Sequence, residues 1–141
     1  MSQSFEKRSI TADGAQAVIA AGVAKATERG GAFVIVVVDE SGVVKASLRM
    51  DGAPLLSVQV ATDKAYTAAG FGLSTDAWYD FVDGDAPLRL GAPSGIDRLV
   101  VFGGGFPLKD GDQIVGAVGV SGGHWSDDME IAKAGVEAFG D

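Results

Sequence analysis

The stretch AFVIVVVD, residues 32–39, limits the possible folds more than any other part of the chain. Phe33 is followed by five consecutive β-branched side chains, Val34 to Val38. A strand sends successive side chains to opposite faces, so an unbroken apolar run suits a central strand covered on both sides. The turn Asp39-Glu40-Ser41-Gly42 follows, and VVKASLRM then alternates. Val34–Val38 and Val43–Met50 therefore read as a hairpin. Such a sheet needs a helical layer on each face.

Candidates for those layers flank the run. TADGAQAVIAAGVAKATERGG predicts a helix with Thr11 as N-cap, Asp13 in its first turn and Gly30-Gly31 as its stop. Ala15, Val18, Ile19, Gly22, Val23 and Ala26 give it a narrow face of small residues for close packing. After the loop Asp51-Gly52-Ala53-Pro54, LLSVQVATDKAYTAAGFG predicts a second helix. One of its stripes holds Leu56, Val60, Lys64 and Thr67, the other Val58, Ala61, Ala65 and Ala68. Ser74-Thr75-Asp76 is expected to cap a short helix running through Trp78, Tyr79, Phe81 and Val82.

Residues 83–96, rich in Gly, Pro and Asp, read as a loop with little regular structure. Arg98–Phe102 reads as a strand, Gly103–Pro107 as a glycine turn, and Lys109-Asp110-Gly111-Asp112 as a hairpin turn into the strand Gln113–Val120. A last helix is expected from near Ser126 to near Phe139. The sum is one α/β (α+β) domain over residues 1–141, with a central antiparallel sheet flanked by helices.

Charge and composition narrow the partners. Eleven basic residues against nineteen acidic ones give a formal net charge of −8, with no Lys/Arg cluster. This argues against nucleic acid or an anionic membrane as partner. With no Cys there is no disulfide framework and no thiolate metal site. A polar start, MSQSFEKRS, and the absence of any long apolar run make a soluble cytoplasmic protein the expectation. Gly is abundant, at 21 residues, which predicts tight turns and close backbone approaches.

RMDGAPLLSVQVATDKAYTAAGFGLST, followed by GGGFPLKDGDQIVGAVGVSGGHWSDDMEIAKAG, resembles the GlcG/HbpS-like family of haem-binding or haem-degrading domains. That family includes the C-terminal domain of some corrinoid adenosyltransferases. The resemblance runs from about Val34 to the end, with glycine-proline turn, hairpin and acidic helix start in the expected order. It implies a profilin-like fold, a homo-oligomer (dimer or higher), and haem as a ligand. The positions matching the family pattern are Arg49, Lys64, Gly104, Pro107, Gly116, Gly119, Ser121, Gly122, Gly123 and Asp128. His124-Trp125-Ser126 departs from it, since small or polar residues are more usual there.

Several residues carry possible chemistry, each beside a plainer role. His124 is the only imidazole, able to shuttle protons near neutral pH or ligate haem iron, or simply to occupy a turn. Asp127 and Asp128 complement the dipole at a helix start, and Asp128 can also orient Lys64 or His124. Lys64, in an otherwise small and apolar stretch, is either a base of lowered pKa or a lysine paired with Asp63 or Asp128. Arg49 can clamp a carboxylate or brace Asp51. Trp78, Tyr79, Phe81 and Trp125 can wall a flat ligand or pack the core.

Nucleotide binding finds no fingerprint, and one His without Cys excludes an ordinary structural zinc site. The reading these residues favour is a domain binding a flat or carboxylated small molecule. The alternative is a cofactor-independent enzyme. In it Lys64 or His124 moves a proton alpha to a carbonyl, Arg49 holds a carboxylate, and the Gly122 and Gly123 amides steady an enolate. A third is an accessory assembly protein whose surface matters more than a pocket.

Overall fold

In the computed structural model, which describes residues 1–140, the apolar run becomes strand β1 (Val34–Asp39) at the heart of a four-stranded antiparallel sheet. Its neighbours are β2 (Val44–Arg49) and β4 (Gln113–Ser121), and β3 (Gly105–Asp110) closes the far edge, giving the order β2-β1-β4-β3. Val34 to Val38 are all buried. Ile35 and Val37 join one hydrophobic cluster, and Val34, Val36 and Val38 join another on the opposite face. That is the two-sided strand the β-branched run requires.

One face is covered by α1 (Ala12–Arg29) and α5 (Trp125–Gly140). Thr11 caps α1 by accepting a hydrogen bond from the Gly14 amide at 2.9 Å. Small residues let these layers close: a Cβ on Gly22 would come within 2.8 Å of Ile35, and one on Gly135 within 2.8 Å of Val18. The other face is covered by α2 (Leu56–Phe71), which buries Ser57, Ala61, Lys64, Ala65 and Ala68. Its backbone lies so close to β4 that a side chain on Gly119 would run into the Ala61 carbonyl. The small-residue stripe thus sets the helix-to-sheet distance, and Lys64 is buried as part of it.

Two expectations for the middle of the chain are corrected. Residues 83–96 are not an irregular loop but include helix α4 (Ala86–Gly95). Asp85 caps it by accepting from the Leu88 amide, and Pro87 sits in the first turn, where a missing N–H costs nothing. Its Ala92 and Leu88 pack with Trp78 and Val82 of α3 (Thr75–Asp83).

Arg98–Phe102 forms no strand. Leu99 and Val101 alternate to meet the α3–α4 cluster instead of a sheet neighbour. The segment is tied to α2 by Thr67, whose hydroxyl donates to the Arg98 carbonyl and accepts from the Val100 amide, both at 3.0 Å. Arg98 holds a left-handed backbone (φ 64°) with its guanidinium 3.8 Å from the Tyr66 ring centre and bonded to Asp63. The expected glycine turn 103–107 is in part the start of β3, where Pro107 is tolerated because the strand is an edge. Among the described residues no helix is long and apolar enough to cross a membrane.

Candidate functional site

The start of α5 sorts its side chains in opposite directions. The His124 carbonyl accepts from the Asp127 and Asp128 amides at 2.9 and 3.0 Å, so His124 is the N-cap through its backbone. Its ring is exposed. Nδ1 lies 2.7 Å from the Ser126 hydroxyl and accepts from the Ser126 amide at 3.2 Å. A backbone N–H can only donate, so this arrangement places the ring proton on Nε2. Asp127 bonds Arg29 at 2.8 Å, and Glu130 meets the same guanidinium at 2.9 Å, which ties the end of α1 to the start of α5.

Asp128 turns inward. Its Oδ2 lies 2.8 Å from Lys64 Nζ, and its Oδ1 accepts from the Gly123 amide at 3.2 Å. Lys64 Nζ also donates to the Val120 carbonyl at 2.9 Å and stands 5.0 Å from the centre of the Phe102 ring. Lys64 is 0% exposed and Asp128 2%. Burial pushes the Lys64 ammonium below its usual range and the Asp128 carboxyl above its own, while each partner opposes the shift in the other. Space for the ammonium is made by Gly104, where a Cβ would fall 2.7 Å from Nζ in a backbone of φ 129°.

Phe102 also borders a cleft of about 590 Å³ between α3, residues 101–103 and the first turns of α5. Phe102, Tyr79, Trp125 and Met129 wall it, and α3 adds the carboxylates Asp76 and Asp80. Asp76, Tyr79 and Asp80 share one helix face at i, i+3 and i+4, as Trp125 and Met129 do on α5. Three large aromatics stay about half exposed there: Phe102 at 45%, Tyr79 at 53% and Trp125 at 46%. Asp76 Oδ1 is sealed from solvent with no hydrogen-bond partner, as is the indole N–H of Trp78 on the same helix.

The residues expected to act together are thus divided. Lys64, Asp128 and the Gly123 amide converge, but in a buried knot. Trp125 reaches the cleft, and His124 sits outside its lining. Gly122 serves chain packing, since a Cβ there would lie 2.7 Å from the Ala32 carbonyl. Arg49 turns back on its own loop and donates to the Ala53 carbonyl at 3.0 and 2.8 Å, neither bracing Asp51 nor entering the cleft. Of the aromatic candidates, Tyr79 lines the cleft, whereas Trp78 packs the α3–α4 core. Asp76, Asp80 and Phe102 were not singled out by the sequence as site residues. Their i, i+4 spacing on α3 is the one signal that could have found the two carboxylates. Among the described residues no group of three or more His, Cys, Asp or Glu is placed to hold a metal ion.

An antiparallel sheet between helical layers, with a ligand-sized cleft beside the last helix, defines a single-domain α/β protein fit for a small-ligand-binding role. Residues 10–137 match the family described as "Haem degrading protein HbpS-like", and the chain belongs to that family. It is 34% identical over 139 residues to an uncharacterized 15.0 kDa protein from the dhaT–dhaS intergenic region of Citrobacter freundii, covering 99% of this chain and 98% of that one. The crystal structure of Klebsiella pneumoniae protein ORFY superimposes with a TM-score of 0.90 at 34% identity, over 99% of this chain and 97% of that one. The crystal structure of a PduOC:heme complex superimposes with a TM-score of 0.84 at 30% identity, over 92% of this chain and 94% of that one.

Proposed function

We propose that this chain is a small-ligand-binding domain whose ligand seat is the cleft between α3 and α5, and that the Lys64–Asp128 pair is the brace behind it. The observation that carries this reading is the half-exposed aromatic wall of Phe102, Tyr79 and Trp125 around a cavity of about 590 Å³. Exposed aromatics are costly to leave in water, and a concave apolar site with a few polar groups is the usual form of a ligand pocket. The walls suit a flat, largely apolar molecule.

Haem is the ligand that the family's description and the haem-bound PduOC complex bring forward. The cleft lining does not suit it. No histidine lines the cleft, which leaves Tyr79 and Met129 as the iron ligands on offer, and its only charged side chains are carboxylates, which repel haem propionates. His124, the one imidazole of the chain, lies beyond the lining.

The acid–base enzyme is supported less well than binding. Lys64 has no exposure, the Gly123 amide is committed to Asp128, and Arg49 is committed to Ala53. Proton transfer needs a group within reach of the substrate: Lys64 is sealed, and His124, though exposed, lies outside the cleft lining.

Calorimetric titration with 2-naphthylmethanol, a flat neutral probe, tests the reading. Saturable binding is expected, at least tenfold weaker in Trp125→Ala and unchanged within twofold in His124→Ala. Absence of saturable binding, or a Trp125→Ala variant that binds as well as the native chain, would overturn it. A saturable Soret shift on adding haem, lost in His124→Ala, would move the ligand to the exposed start of α5.

We also infer that copies of the chain associate through the β2 edge. The β3 edge carries Pro107, whereas β2, paired with β1 on one side only, leaves Val44 and Leu48 exposed on the strand at the other edge of the sheet. An open edge of this kind pairs readily with a second copy.

A further inference from the structure

We propose that the cleft selects an organic cation, a flat apolar molecule bearing an amine or ammonium group, over its neutral and anionic counterparts. The proposal rests on the cleft being the ligand seat and adds the charge of what sits there.

Three observations converge on it. The lining contains two carboxylates, Asp76 and Asp80, and neither Lys nor Arg. The neighbouring protein cations are engaged elsewhere: Lys64 with Asp128 and Val120, Arg29 with Asp127 and Glu130, and Arg98 with Asp63. The charge of the cleft is therefore left for a ligand to balance.

The second observation is the state of Asp76. Its Oδ1 is removed from solvent yet accepts no hydrogen bond from the protein. A buried acceptor without a donor is costly, more so when the group is charged, and such an atom in a native fold calls for an explanation. Helix-dipole complementarity accounts for an acidic residue in the first turn of α3, but not for a sealed oxygen that no amide of that turn reaches. Asp80 lies past the first turn and has no such reason to be there. With no protein donor to offset it, the Asp76 carboxylate keeps its charge for an ammonium held in the cleft that Asp76 lines.

The third is the wall itself. Aromatic faces attract cations through their quadrupoles, with the strongest effect where the site is desolvated. Phe102, Tyr79 and Trp125 present such faces around the carboxylates. A bare divalent metal fits less well, because two carboxylates among aromatics are too few oxygen ligands and no larger metal-binding group is found among the described residues.

Matched probes test the charge preference: 2-naphthylmethylammonium, 2-naphthylmethanol and 2-naphthoate, titrated by calorimetry into the native chain, Asp76→Asn, Asp80→Asn and the double variant. The cation is expected to bind at least tenfold more tightly than the alcohol, with naphthoate weakest. Each single variant should cut the cation's advantage over the alcohol, both measured in that same variant, by threefold or more. Alcohol binding without a cation advantage would overturn the charge preference and leave the cleft as ligand seat. A cation advantage that survives in the double variant would also overturn it, since the pull would then come from the net charge of −8. Failure of all three probes to bind would overturn both readings.

Discussion

Two polar sites share Phe102 as a neighbour and are built on opposite terms. In the first, Lys64 and Asp128 are buried with their hydrogen bonds made, inside a knot closed by Gly104, the Val120 carbonyl and the Gly123 amide. In the second, Asp76 has an oxygen without a partner, and three aromatic rings stand half in solvent. The first site has used its polar groups up, and the second has kept some in reserve. The sequence drew attention to the charges of the first site and passed over those of the second. Only partner satisfaction separates a brace from a binding site, because a group already paired has little to offer a ligand.

The largest expected effect breaks the brace. Lys64→Met strands Asp128 in a dry interior, and removing one partner of a buried ion pair costs about 3–5 kcal/mol. Urea unfolding should report that loss, and Lys64→Met with Asp128→Asn should recover most of it, since Asn still accepts from the Gly123 amide. A stable Lys64→Met variant that no longer binds the naphthyl probe would exchange the roles of the two sites.

Phe102→Ala removes the side chain that borders both. In the native chain Lys64 should resist acylation while the exposed lysines react, because its ammonium has no accessible surface. In Phe102→Ala it should become reactive, as read by peptide mass spectrometry, and probe affinity should fall about tenfold with the loss of one aromatic wall. Equal acylation in both proteins would show that the ring is not the seal.

The smallest expected effect lies at a third cluster, which is paired but surface-bound. Hydrogen bonds from Ser9, Lys7 and Ser41 lower the Glu40 carboxyl from 4.5 to about 2. A lowered folded value stabilises the fold above pH 4.5, and that contribution is lost as the pH falls towards 2. Hydrogen exchange should show the segment around Lys7–Ser9 loosening over this window, and Glu40→Gln should abolish the pH dependence without disturbing the core.

Much of the fold was legible because local signals agreed with the tertiary outcome. The β-branched run from Val34 demanded a two-sided strand, and Thr11 with Gly30 bracketed α1. The small-residue face of α1, through Ala15, Gly22 and Ala26, announced close packing. Helix α4 was hidden because its glycines and prolines dominate its composition, although Asp85-Ala86-Pro87 is an ordinary helix start. Arg98–Phe102 misled because alternation records that one face is buried, not what buries it, and here α3 and α4 do.

The site was only half legible. A lone lysine on a small-residue stripe, with a carboxylate at a helix start, did suggest the Lys64–Asp128 pair. That Phe102 borders both sites, and that Asp76 keeps a sealed oxygen without a partner, follow from packing between elements distant in sequence. His124 drew notice as the sole imidazole, yet its ring lies outside the cleft.

The most direct test of this division of labour is the affinity of 2-naphthylmethanol for the folded double variant Lys64→Met/Asp128→Asn. If the buried pair is a brace and the cleft is the binding site, the dissociation constant should stay within threefold of the native value. A variant that folds cooperatively and has lost all saturable binding would contradict it.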